Sequence, residues 1–404
     1  MPTRPIKPLL HRSVRALHGS SLLAFDAVRA TTDIVEAMHA TIAALSLPLG
    51  TGATRTRGLT AGVYGAIRGV TGLLRQGVDA SLRGVGAVTA AEPLPAEPRE
   101  EAALAALNGV LGDHLEATGN PLAIRMQLRR AGLPLTLTRE ALADALPQAG
   151  PRLLVQVHGL CMNDLQWRWQ GHDHGELLEA GHGYTAVQLH YNSGRHVSQN
   201  GRELAGLLEL LVAHWPVPVE ALVLLGHSMG GLVSRSAVHY GRAAGQRWSE
   251  RLAALVFLGT PHHGAPAERI GSLVQRVIGW SPYSAPIGRI ATLRSAGITD
   301  LRHGNLIDAD WDGHDRFDRA DRRLAHALPV GIDCYTVAAT KSPPEHPKPA
   351  GDGLVPVDSA LGRHRDPART LDFGADRQRL IHRANHWDLL LHPEVTEALG
   401  RWLA

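Results

Sequence analysis

The sequence predicts an α/β protein: a mostly parallel sheet with helices on both faces, preceded by a helical N-terminal extension and carrying a helical cap insertion. From residue 153 onward, short apolar runs alternate with helical patterns, the signature of a parallel sheet built from β-α repeats. Residues 1–91 show helical spacing of apolar side chains and no strand pattern. Between 265 and 328 the alternation lapses for longer than a simple crossover needs, which marks an insertion after a strand. The expected organisation is a helical extension over 1–91, a linker over 92–100 and an α/β domain over 101–404 with the cap at about 265–328.

Composition bounds the function. Hydrophobic content of 44% and charged content of 20% are ordinary for a soluble domain, and aromatics are scarce at 4%. A net charge of +3 gives no global field for nucleic acid, so none is expected as a partner. The charge is uneven, because residues 1–91 hold ten Lys/Arg against four Asp/Glu, a net of +6. Cys161 and Cys334 are far apart in sequence and not in metal-type spacing, which favours buried free thiols. The N-terminus lacks a continuous apolar core of the secretory type, and the apolar stretch 37–50 is too short to span a bilayer. The expected location is cytoplasmic, and nothing in the pattern sets an oligomeric state.

In chain order, apolar residues at 59, 63, 67, 70, 74, 78, 82 and 85 keep a helical period, with Arg68, Arg75 and Arg83 among them. Gly62, Gly65, Gly69 and Gly72 follow at three- and four-residue steps, as where a second helix approaches closely. Two roles fit: packing of a helical hairpin on the neighbouring domain, or peripheral contact of a basic amphipathic helix with an anionic membrane. The proline-rich "AEPLPAEPRE" (91–100) is the linker, and "EAALAALNGVLGDHLEA" after it is a helix ending near "TGNP". "LAIRMQLRRAGLPLTLT" alternates around Ala131-Gly132 as an antiparallel hairpin would. Strands follow at Leu153–His158, Thr185–Tyr191, Ala221–Leu225, Leu255–Leu258 and Cys334–Ala339. In the cap, Ile270, Leu273, Val274, Val277, Ile278 and Trp280 fall at helix-like spacing and are expected to line an apolar pocket.

"ALVLLGHSMGGLVSRSA" (221–237) places Ser228 between an apolar run and a helical pattern (Leu232, Val233, Ser236, Ala237). That is the context of a strand that turns sharply into a helix and presents a serine at the bend. Side chains at Gly226 or Gly230 would collide across such a turn. A serine hydroxyl is nearly inert at neutral pH and needs a base, which in turn needs a carboxylate to hold its tautomer. In the chain order Ser, acid, His, the sequence offers "AGDGLVPVDSA" (350–360) and "HRANHWDLLLHPEV" (382–395). Asp352, expected exposed on a turn between two glycines, is the preferred acid, with Asp358 as its rival. His386, expected to head a helical run through Leu389, Leu390 and Val395, is the preferred base, with His382 and His392 as rivals. The oxyanion needs two backbone N–H donors, and Met229 and Leu160 are the natural ones; His158 and Gly159 shape the latter's loop. Cys161 beside that loop has no assigned base and reads as a small core residue.

Taken together, "VHGLCMND", "GHSMGG", "GTPHHGAP", "GDGLVPVDSA" and "NHWDLL" resemble the successive signatures of α/β-hydrolase lipases and esterases, and within them bacterial proteins similar to GPI inositol-deacylases. The resemblance covers about 150–404. It implies an α/β-hydrolase fold and hydrolysis of a carboxylic ester or lipid through an acyl-serine, without cofactor, by Ser228, Asp352, His386 and the Leu160 and Met229 amides. An acyltransferase or thioesterase could use the same triad. A reading of another class is a membrane- or granule-surface protein in which the hydrolase fold is secondary. "GHDHGE" and "TPHHG" bring His172, Asp173, His174, His262 and His263 within a zinc reading, but loop polarity explains them as well and no metal is assigned.

Overall fold

The computed structural model describes residues 6–45, 55–89, 97–266, 268–272, 294–316, 318 and 320–404. The chain divides into two compact units, Met1–Leu94 with Ala117–Leu122, and Pro95–Glu116 with Ala123–Ala404. Among the described residues no helix is long and apolar enough to cross a membrane.

The first unit is built on two long helices, α1 (Ile6–Leu45) and α2 (Leu59–Val88). Their side chains pair in opposite chain order, so the helices are antiparallel. Arg68 bonds Asp33 (2.8 Å) and Glu36, Arg75 faces Asp26 (3.4 Å), and Asp79 receives His18 (2.8 Å) and Arg83. Arg68, Arg75 and Arg83, whose spacing fits either hairpin packing or contact with an anionic membrane, are turned onto carboxylates of their own unit. The glycine row is not where the second helix lies: a Cβ at Gly62, Gly65, Gly69 or Gly72 would meet nothing within 4 Å among the described residues. The helices meet instead along the face carrying the ion pairs.

The second unit is an eight-stranded sheet: β1 (Gln127–Arg130), β2 (Leu133–Pro134), β3 (Arg152–Val157), β4 (Tyr184–His190), β5 (Ala221–His227), β6 (Leu252–Leu258), β7 (Asp333–Ala339) and β8 (Gln378–Ile381). The order is β2-β1-β4-β3-β5-β6-β7-β8. β1 and β2 form the opening hairpin; its two-residue turn puts Ala131 (φ 50°) and Gly132 (φ 79°) in the left-handed region that a type I′ turn demands. β1 joins β4 antiparallel, and all later pairings are parallel. The inner strands are near-continuous apolar runs because helices cover both faces, and Leu154, Val223, Leu225, Val256, Leu258 and Val337 form one buried core with Trp167 and Leu390.

The chain steps outward from β3 to β4 and then returns to place β5 on the other side of β3. At such a reversal the loops after β3 and β5 diverge at the carboxyl ends of the strands and leave a crevice where open α/β sheets bind ligands. Helices connect the strands: α3 (Pro98–Ala117), α4 (Arg139–Ala145), α5 (His174–His182), α6 (Val197–His214), α7 (Met229–Ala243), α8 (Ala296–His303), α9 (Val357–Ala360) and α10 (Pro393–Trp402). α3 starts at Pro98 inside the expected linker, since proline is well suited to the first helical position. β8 has no counterpart among the expected strands, because four residues with only Ile381 buried carry little apolar pattern. Of the insertion, residues 265–266 and 268–272, α8 and the segment after it are described, with Ile270 buried, whereas Leu273, Val274, Val277, Ile278 and Trp280 lie outside the described residues.

Candidate active site

β5 ends at His227 and α7 begins at Met229, so Ser228 alone makes the turn, at φ 55° and ψ −123°. This is a conformation L-residues rarely hold, and it persists only where the surroundings determine it. Here the Ser228 N–H donates to the Leu258 carbonyl at 2.8 Å, extending the β5–β6 ladder into the bend. The glycines permit the close approach. A Cβ at Gly226 would lie 2.6 Å from Gly231 Cα, and one at Gly230 would run into the Val157 carbonyl.

The loop after β3 closes against this elbow. A Cβ on Gly159 would sit 3.0 Å from Ser228 Cβ and 3.3 Å from His227 Nδ1, a contact tight enough that a larger residue would push on the elbow. Beyond it the chain turns tightly, with Met162 N–H bonded to the Gly159 carbonyl (3.3 Å) and Cys161 at φ 60°. Ser193 Oγ accepts from Cys161 N–H (3.0 Å), and Tyr191 donates to the His158 carbonyl (2.8 Å), which fixes the loop from β4's side. Leu160 and Met229 are both buried, and neither N–H bonds another group among the described residues. The Cys161 thiol is pushed up to about 12 by burial, a thiol without nucleophilic character at neutral pH.

Asp352 and His386 come together from loops after β7 and β8. His386 Nδ1–H donates to Asp352 Oδ2 at 2.6 Å, and both side chains are almost fully buried. Asp352 Oδ1 accepts from the Leu354 and Val355 amides at 2.8 Å each. Burial alone would raise this carboxyl; the His386 charge, its hydrogen bond and the two amides outweigh that and hold it below the ordinary value. The expected exposed turn is therefore a buried one. Gly351 (φ 125°) and Gly353 (φ 101°) supply left-handed backbone that folds the segment back over its own carboxylate. Asp358, the rival acid, lies on α9 with its side chain 76% exposed and facing Arg363 at 3.8 Å.

With its Nδ1 proton committed to Asp352, His386 leaves Nε2 as the basic nitrogen, and that atom is buried without a hydrogen-bond partner. His386 does not head a helix as expected. It stands in a loop before a single 3-10 turn (Asp388–Leu390), and α10 begins only at Pro393. His227, next to Ser228, bonds the His386 carbonyl through Nε2 (3.2 Å), and the two rings lie 4.7 Å apart. Gly259 matters too, since a Cβ there would sit 3.0 Å from His386 Cε1. The rivals have other partners: His392 caps α10 through Glu394 N–H (3.3 Å), and His382 faces the Ser342 carbonyl (3.4 Å).

Sequence reasoning passed over His227 as a support for the base, though it stands inside the glycine-fenced motif. It also passed over a buried polar group behind the β3 loop, where Arg129 bonds Glu101 (3.3 Å) and Asp164 (3.1 Å) with His190 beside them (3.0 Å to Asp164). Glu101, Asp164 and His190 are the described residues with metal-like spacing, but the Arg129 guanidinium already supplies the cation between the two carboxylates. In "GHDHGE", the Asp173 carboxylate serves Gly175 N–H (2.7 Å) and Gln156 (3.0 Å), while His172 and His174 bond each other (3.1 Å).

Residues 156–328 match the model of a family described as the PGAP1-like alpha/beta domain. No curated protein matches the chain. Among solved structures, the mature lipase BlEst2 of Bacillus licheniformis is similar at 19% identity over 63% of this chain and 92% of its own, with a TM-score of 0.39. The esterase Pf2001 of Pyrococcus furiosus shows 13% identity over 63% and 85%, with a TM-score of 0.36. A lipase-esterase related protein from Clostridium acetobutylicum shows 14% over 63% and 94%, at 0.34.

Proposed function

We propose that the chain is a serine hydrolase that cleaves carboxylic esters through an acyl-serine intermediate. The observation that carries this is the buried 2.6 Å bond from His386 Nδ1 to Asp352, which leaves Nε2 as an unpartnered base beside the strained Ser228 elbow. In this reading His386 Nε2 takes the Ser228 proton as Oγ attacks the ester carbonyl. The oxyanion of the tetrahedral intermediate receives the Leu160 and Met229 N–H groups, which have no competing partner among the described residues. Collapse expels the alcohol, which takes the proton from His386. A water then repeats the sequence on the acyl-enzyme, releasing the acid and restoring Ser228. Asp352 stays ionised throughout and stabilises the imidazolium.

The test is a chain-length series of p-nitrophenyl esters on the wild type and on Ser228→Ala. Wild type turns over at least one member and is labelled at Ser228 by a fluorophosphonate, while Ser228→Ala loses about 10⁶-fold in kcat because the triad acts as a unit. Near-wild-type turnover in the variant overturns the nucleophile; labelling at another serine relocates it.

A further inference from the structure

A second polar recess lies beside α7 and the loop after β6. It is lined by three arginines and three histidines, Arg235, Arg323, Arg369, His262, His263 and His326, and its lining contains no carboxylate. The recess is small, with a cavity volume of about 20 Å³, and it is partly open to solvent. Nothing in the proposed hydrolysis uses these groups.

Arg235 is the member whose charge is least accounted for. It is 6% exposed, and its guanidinium donates to the His326 carbonyl (2.6 Å) and to His262 Nδ1 (3.3 Å). Among the described residues no carboxylate is paired with it. Burial pulls its pKa down to about 10, which still leaves it a cation at neutral pH. The neighbouring arginines are committed. Arg323 grips Asp321 through Nε and Nη2 (3.0 Å each) and donates to the His262 carbonyl (3.0 Å). Arg369 donates to the same Asp321 (2.7 Å) and to the Arg323 carbonyl (3.0 Å). Asp321 thus serves both guanidinium groups, and Arg369 also faces Asp366 at 3.8 Å. Asp310, behind the wall, is occupied by the Leu306, Ile307 and Leu324 amides and lies 3.5 Å from His326 Nε2.

The histidine tautomers follow from these bonds. A guanidinium only donates, so His262 Nδ1 accepts from Arg235 and the ring proton sits on Nε2, which is buried without a partner. Burial, then the Arg235 charge, keeps that ring neutral. His263 Nε2 donates to the Gly362 carbonyl (3.0 Å), leaving its buried Nδ1 as a bare acceptor. A desolvated cation, an orphan N–H and an orphan acceptor are complementary to an oxyanion that retains one hydroxyl. Its charged oxygens face Arg235 and His262, and its O–H faces His263.

We propose that this recess binds a phosphate group, either as free phosphate or as the end of a phosphomonoester. Bound there, the anion compensates Arg235 and ties the end of the insertion, through His326 and Arg323, to α7 and the loop after β6. The test is a thermal melt and 31P NMR titration of the full chain with inorganic phosphate, against sodium chloride at equal ionic strength. Expected is a saturable rise in melting temperature with phosphate alone, retained in Ser228→Ala and absent in Arg235→Gln. Should Arg235→Gln not fold, Arg369→Gln at the rim serves instead and weakens the phosphate midpoint by about tenfold. Glycerol 3-phosphate run in parallel shows the source, since tighter binding than phosphate points to a phosphomonoester. No saturable shift with either ligand, an unchanged midpoint in the arginine variants, or loss of the shift in Ser228→Ala overturns the proposal.

Discussion

The two units use their apolar side chains in opposite ways. Along β3, β5 and β6 almost every side chain is buried, whereas on α1 and α2 Leu73 is 70% exposed, Val88 83%, and Val63, Val70 and Leu74 more than half. Carboxylate pairs run along the hairpin, from Asp26 to Glu36 on one helix and Arg68 to Arg83 on the other. The sheet unit buries its apolar side chains almost completely; the hairpin buries few, Val14, Leu22 and Ala40 among them, and sets ion pairs beside them. The difference teaches that helical periodicity identifies an apolar stripe without saying what covers it. An internal parallel strand has both faces covered by construction. An exposed stripe of this length is the kind of surface that marks a contact site.

The largest effect that separates the units is catalytic. Asp352→Asn should lower ester turnover by about 10⁴-fold through loss of the tautomer that Asp352 holds, with the melting transition preserved. Asp358→Asn in the same unit and Arg68→Gln in the hairpin should each leave kcat/KM within about twofold, as exposed or remote changes do. If Asp358→Asn were the more damaging, the assigned acid is the wrong one.

Packing separates them next. Leu224 on β5 is fully buried, and Leu224→Ala should cost about 3 kcal/mol in a denaturant melt. Leu73→Ala on α2 should change stability by less than about 0.5 kcal/mol. A Leu73 effect approaching that of Leu224 would mean that the exposed stripe is covered in solution, and the comparison above would fail.

Acid sensitivity, visible only away from neutral pH, separates them last. Burial holds both His158 and His227 neutral, with pKa values lowered to about 3. Between roughly pH 6.5 and 3 the unfolded chain therefore binds these protons and the folded chain does not, so stability falls as pH drops through that window. His227→Asn should flatten the slope by about 1.4 kcal/mol per pH unit. In the hairpin the Arg68 hydrogen bond lowers Glu36 and the His18 hydrogen bond lowers Asp79. Their contributions are complete above the ordinary carboxylate range and disappear only as pH falls through the lowered values. All eight tryptophans lie in the second unit's sequence, whereas helices of both units give the far-ultraviolet signal. Tryptophan fluorescence should therefore change with the first phase of helix loss and be complete before the second, at lower pH. Coincident transitions would show that the units unfold as one.

The sheet was legible because its central strands are unbroken apolar runs between turn residues, and β8 was not because a four-residue edge strand has one buried side chain. The elbow was legible for a local reason: backbone approaching within van der Waals distance at Gly226 and Gly230 leaves no room for a side chain, and that restriction is written at those positions. The Arg68 and Arg75 charges read as outward-facing because their partners lie on another helix, at a distance in sequence that periodicity does not address, whereas Arg83 pairs with Asp79 one turn away on its own helix.

By itself the sequence determined the order of elements, the strand-serine-helix turn and the supply of acids and bases downstream of it. All of these depend on spacing within one segment and on the backbone freedom of glycine. Only the tertiary structure decided which carboxylate meets which imidazole. The strand order brings the loops after β7 and β8 to one edge, where Asp352 is folded inward onto His386 while Asp358, six residues on, is left in water. Residues 34 positions apart pair when the sheet sets their loops side by side and burial removes the competing solvent, and neither condition is encoded at either residue alone.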